Sequence, residues 1–182
     1  GYDMYIKLLN EAILEQQGKA PEITPECLVD IRVDAFIPEK YISNQAQRVD
    51  CYRKIAMIEN DDDAYDVTDE LIDRYGDVPK AVEGLIEVAK LRRLARTMHL
   101  TEIIQSGDSM LFYPEKINEK TMERISAVGG KYGKAMMLDV ASGKPNFRVN
   151  GVDKLGGPLT LLKDTLDAMQ SADIDKAGEH GG

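Results

Sequence analysis

The sequence predicts an α/β (α+β) chain, with a mostly helical first part holding one strand, then a mixed strand-and-helix second part, packed as one compact domain. Three observations carry this. Apolar residues hold every odd position from Val29 to Ile37 and charges sit on most of the others, a period of two that is the signature of a half-buried strand. Between Ser43 and His99 the apolar residues recur at three- and four-residue steps instead, the helical period. After Leu100 the pattern shortens into strand-sized runs separated by turn residues such as Ser106-Gly107-Asp108.

Taken in order, Tyr2, Tyr5, Ile6, Leu9 and Ile13 predict an amphipathic helix over 2–17, ended by Gly18, with Pro21 and Pro25 marking an irregular connection. The strand of 29–37 stops at Pro38. Ser43 is placed to cap a helix running to about Ile58, with Ala46, Val49, Tyr52 and Ala56 on one side. The polar break at Asn60–Asp63 leads into a helix from about Asp63 to Tyr75. Ala64, Thr68, Leu71, Ile72 and Tyr75 form its predicted inward face, and Gly76 its left-handed cap. A third helix starts near Pro79 and reaches about His99 with a broad apolar arc. Thr101–Gln105 and Ser109–Tyr113 read as a hairpin, and Asn118 as the cap of a short helix through Val128, closed by Gly129-Gly130. Lys134–Val140 and Phe147–Asn150 read as strands. A last helix spans about Pro158 to Gln170, on a stripe of Leu155, Leu159, Leu162, Leu166 and Met169. The expected layout is 1–22 as helix and linker, 23–172 as the folded domain, and 173–182 as a flexible tail. A weak sub-boundary falls near residue 100.

Charge narrows the function. The chain carries a net −9, of which −7 lies in residues 1–100. That opposes a duplex-binding role, because neutralising phosphate charge dominates nucleic-acid affinity. Arg92, Arg93 and Arg96 are the nearest basic cluster, but no aromatic lies between them and they suit a helix terminus. No phosphate-loop motif is present, and Gly143-Lys144 is followed by Pro145 in what reads as a hairpin loop. Two histidines, His99 and His180, leave no zinc set and no Ser-His or Cys-His pairing. Asp61-Asp62-Asp63 lacks the alternating ligands of a calcium loop and reads as a solvated helix start, with metal-dependent hydrolysis as the rival. Cys27 and Cys51 are too few for a disulfide framework and suit a reducing, cytoplasmic setting as small apolar residues. No catalytic residue, metal or cofactor is expected. The start at Gly1, without Met, reads as an excised piece of a longer protein or a processed chain.

One stretch is specific. It runs from Val33-Asp34-Ala35-Phe36-Ile37-Pro38 through Arg53-Lys54-Ile55-Ala56 to Glu70-Leu71-Ile72-Asp73-Arg74-Tyr75-Gly76, then Pro79 and Ala89-Lys90-Leu91-Arg92. That order and spacing resembles the carboxy-terminal domain of the bacterial transcription-repair coupling factor (Mfd, TRCF), strongly over 28–104, with Tyr75 where Phe is more usual. The opening Gly1–Tyr5 resembles the helix that follows the motor lobes in that family. The resemblance implies a non-catalytic autoregulatory domain. Its partner is the amino-terminal UvrB-like module of the same parent chain, whose UvrA-recruiting surface it masks until the motor engages stalled RNA polymerase and DNA. UvrA and RNA polymerase are then indirect partners, and DNA is bound by the parent motor. Glu70, Asp73 and Arg74 lie at i, i+3 and i+4 and share an outward face, which suits a reversible ionic clasp. The same spacing equally describes a local Glu70–Arg74 pair on a wet surface. The alternative to the regulatory reading is a free-standing cytosolic adaptor.

Overall fold

In the computed structural model, residues 27–179 are described; the helix expected over 2–17 lies outside them. The mixed α/β class holds: five helices and a five-stranded mixed sheet stand among the described residues. The chain divides into two compact units, Arg32–Arg93 in one and Cys27–Ile31 with the chain from Leu94 in the other. The division falls close to the change of sequence character near residue 100. No described helix is long and apolar enough to cross a membrane.

Of the segment read as a strand, the part from Arg32 onward belongs to the first unit. Only Leu28–Asp30 (β1) enters a ladder, and that ladder belongs to the second unit. Residues 31–38 belong to no strand or helix, yet the alternation persists: Ile31 and Ile37 are buried, while Arg32, Asp34 and Phe36 are exposed. Helix-borne groups serve their backbone instead. Phe36 N–H donates to the Ala81 carbonyl at 3.3 Å, and Ile37 N–H to the Tyr52 hydroxyl at 2.8 Å. The approach is close at Gly84, where a Cβ would meet the Asp34 carbonyl oxygen at 2.9 Å.

Helix α1 covers Gln45–Ala56, capped by Asn44 and not Ser43. Its buried face is Cys51 and Ile55, one residue round from the side the sequence suggested, and Ala46 is exposed. Helix α2 spans Asp61–Tyr75. Asn60 caps it by accepting from Asp63 N–H at 2.8 Å, and Asp63 in return accepts from Glu59 N–H at 3.0 Å. The Asp61–Asp63 run is therefore a helix start, with Lys90 3.0 Å from Asp61. No metal-binding cluster of His, Cys, Asp or Glu occurs among the described residues. Tyr41 fastens the far end of α2, its hydroxyl donating to the Gly76 carbonyl at 2.9 Å. Helix α3, Lys80–Thr97, buries the predicted wide arc, including Val82, Leu85, Val88 and Ala89.

The second unit is built on the sheet, ordered β1-β2-β3-β5-β4. Strands β2 (Leu100–Ser106) and β3 (Ser109–Pro114) form the predicted hairpin. β4 (Met136–Asp139) and β5 (Asn146–Asn150) complete the sheet, with Lys134 in a preceding 3-10 turn and not in the strand. Ile103, Phe112 and Phe147 sit opposite one another on the buried face, and the two phenyl rings stack 4.8 Å apart. Helix α4, Glu119–Tyr132, does begin at Asn118 but runs four residues past Val128; Gly133, at φ +58°, caps it. Helix α5, Pro158–Glu179, also outruns its expected end at Gln170. A half-buried ion pair ties the extension down: the buried Arg124 of α4 grips Asp173 of α5 with two hydrogen bonds of 3.1 and 3.0 Å.

Candidate interaction surface

The three residues singled out for a clasp all lie on α2, but they do not share one environment. Leu71 faces inward at 4% exposure, whereas Ile72, predicted to join it, is 47% exposed. The buried stripe is Ala64 and Leu71, with Val67, Thr68 and Tyr75 half-buried beside it. Ile72 sits a further hundred degrees or so round the helix from Leu71, past the edge of that stripe. It falls in line with Tyr65, seven residues earlier and 69% exposed.

Glu70 and Arg74 flank the helix on the side toward α1. The Lys54 ammonium of α1 donates to the Glu70 carboxylate at 2.7 Å, Arg74 approaches the same oxygen at 3.4 Å, and Asp50 lies 3.4 Å from Lys54. The hydrogen bond from Lys54 holds the Glu70 carboxyl below its usual range, and reciprocally raises Lys54. The Arg74 guanidinium lies 5.1 Å from the centre of the Tyr75 ring. Glu70 and Arg74 are thus a local pair, extended to α1 by Lys54. Asp73 differs. It is exposed and forms no ion pair among the described residues.

Asp73 has company. Asp62, Asp66 and Asp69 are also exposed, and helical spacing places them with Asp73 along the crest opposite Ala64 and Leu71. The outward face of α2 is therefore an acidic ridge with Tyr65 and Ile72 along one flank and the Glu70–Arg74 pair along the other. Sequence reasoning missed Tyr65 and the true direction of Ile72. The signal was available, since both stand seven residues apart in a run otherwise rich in aspartate.

The groove between α1 and α2 is not a small-molecule site. The space bounded by Cys51, Lys54, Glu70 and Arg74 measures about 10 Å³, room for one water at most. At its floor, burial pushes the Cys51 thiol up to about 12, so it is inert at neutral pH. Arg92 is occupied structurally, donating to the Ala56 carbonyl at 3.1 Å.

With this geometry in view, comparison with known proteins is decisive. Residues 31–125 match the model of the TRCF domain. The chain belongs to the TRCF domain family. Among relatives of this TRCF domain, the transcription-repair-coupling factor of Bacillus subtilis is 31% identical over 175 residues, covering 90% of this chain and 15% of that protein. That of Staphylococcus epidermidis is 28% identical, over 93% of this chain and 14% of the other. The chain thus spans about one-seventh of the length of these relatives. A solved structure described as the C-terminal domain of transcription-repair coupling factor shares the TRCF-domain fold. Its TM-score is 0.67 at 18% identity, over 83% of this chain and 96% of that one. Both α1–α3 and the hairpin β2–β3 fall inside the matched segment; β4, β5 and α5 lie beyond it.

Proposed function

We propose that this TRCF domain is a non-catalytic regulatory module, which covers the UvrA-recruiting surface of the amino-terminal UvrB-like module in its parent chain until the motor engages stalled RNA polymerase and DNA. The observation that carries the reading is the outward face of α2. It presents four aspartates and two exposed apolar side chains on a helix that is capped at its start and fastened at its end. Such a face suits a partner surface of basic groups around an apolar patch.

The energetics suit a latch. Tethering in one chain gives an effective concentration on the order of millimolar, so a weak contact keeps the surface covered. A partner that prefers the open form by a few kcal/mol then releases it. Asp73 and the apolar pair Tyr65 and Ile72 would make the direct contact. Glu70 and Arg74 would stiffen the flank and add bidentate capacity where Arg74 swings outward.

The test is replacement of Glu70, Asp73 and Arg74 by Ala in the parent protein. The expected result is tighter UvrA binding with the domain still folded. Unchanged UvrA affinity in a protein that remains closed would remove these positions from the interface.

A further inference from the structure

A second concavity lies wholly within the other unit, on elements that the α2 surface does not use. It is a cleft of about 230 Å³ between the end of α3, the loop from β3 to α4 and the first turns of α4. His99, Glu115, Lys116, Lys120, Thr121 and Arg124 line it. In a chain of net −9, this is a local concentration of cations.

Arg124 is the built part of the site. Its side chain is 4% exposed and is fixed by three hydrogen bonds, two to Asp173 and one to the Met98 carbonyl at 3.3 Å. A guanidinium has five N–H donors, so two are left beyond these three bonds. Lys116 and Lys120 are exposed and have no ion-pair partner among the described residues. Glu115 is the carboxylate on the rim, 3.4 Å from the His99 ring and 4.0 Å from Arg96. His99 is the one non-glycine residue with positive φ, at +58°, among those described. That strained turn sets its carbonyl to accept from Glu115 N–H at 2.8 Å, which holds the rim in place.

Charge decides the ligand class. Asp173 answers Arg124, and Arg96 answers Glu115, so among the cations lining the cleft the two lysines have no ion-pair partner among the described residues, with Glu119 and Glu123 nearby on α4. A phosphate dianion matches them better than a single carboxylate does. The chain's net charge of −9 opposes a polyanion more strongly than it opposes a small ligand. We propose that this cleft binds a small phosphate monoester bearing a hydroxyl group, its phosphate held by Lys116, Lys120 and Arg124 and its hydroxyl by Glu115.

The test is an NMR titration of the isotope-labelled 182-residue chain with ribose 5-phosphate, inorganic phosphate, ribose and a short DNA duplex. Ribose 5-phosphate should give saturable shifts at the backbone amides of residues 99 and 115–124, inorganic phosphate should bind more weakly, and ribose should not bind. Changing Lys116→Ala and Lys120→Ala together, both exposed, should weaken the sugar phosphate about tenfold by removing charge-assisted hydrogen bonds, with the melting temperature unchanged. Glu115→Gln should erase the advantage of the sugar phosphate over inorganic phosphate. Absence of a saturable shift, binding indifferent to the double lysine variant, an advantage that survives Glu115→Gln, or tighter binding of the duplex would each overturn the proposal. None of these results bears on the α2 surface.

Discussion

Leu71 and Ile72 are neighbours in sequence with opposite surroundings, and their variants separate packing from recognition. Leu71→Ala removes a buried side chain and should cost about 2–5 kcal/mol in urea unfolding, whereas Ile72→Ala should stay within about 0.5 kcal/mol. Glu70 offers a pH test. Its folded-state carboxyl titrates below its unfolded value because Lys54 donates to it, so its contribution is whole above the unfolded value and fades as pH falls through the folded one. Lys54 is raised, so its share is whole at neutral pH and is lost only in strong alkali. The stability gap between the native chain and Glu70→Gln should therefore be constant near neutrality and shrink below the carboxylate range. It should be small throughout, since both partners are more than one-third exposed. Asp173→Ala should be harsher, about 3–5 kcal/mol, because it strands a buried guanidinium. Of the residues singled out from sequence, Asp73 was legible as an outward group. The tie of Glu70 to Lys54 was not, because a pair sixteen residues apart leaves no periodic trace.

At the scale of elements, the helices were the readable part. Asn60 and Asn118 are caps with side-chain acceptors, and α2 and α4 start directly after them. The segment 31–37 teaches the opposite lesson. Its period of two correctly gave which side chains are buried, but not that helix α3 and Tyr52, rather than strands, satisfy part of its backbone. Alternation reports burial; it says nothing of where the hydrogen bonds go. Gly84 records how near the two elements run. Gly84→Ala should destabilise the chain by about 1–3 kcal/mol, since a Cβ there meets backbone that cannot rotate away. Thermal melts of Gly84→Ala against Gly143→Ala, where a Cβ meets nothing, would show it. The ends of α4 and α5 were misjudged for a tertiary reason. Gly129 and Gly130 look like a stop, and the residues after Gln170 look like a tail, until the Arg124–Asp173 pair and the Tyr132–Thr165 hydrogen bond join the two helices.

For the whole molecule, the proposed latch would give the acidic first hundred residues a purpose in the α2 ridge. Charges spread over an exposed crest, rather than sealed in a greasy interface, allow a tethered domain to be held and released at modest cost. The most direct measurement is the UvrA affinity of the parent transcription-repair coupling factor with and without residues 1–182. UvrA should bind more tightly once the segment is removed, and the weaker affinity should return when it is restored. Equal affinity in both proteins would contradict the latch.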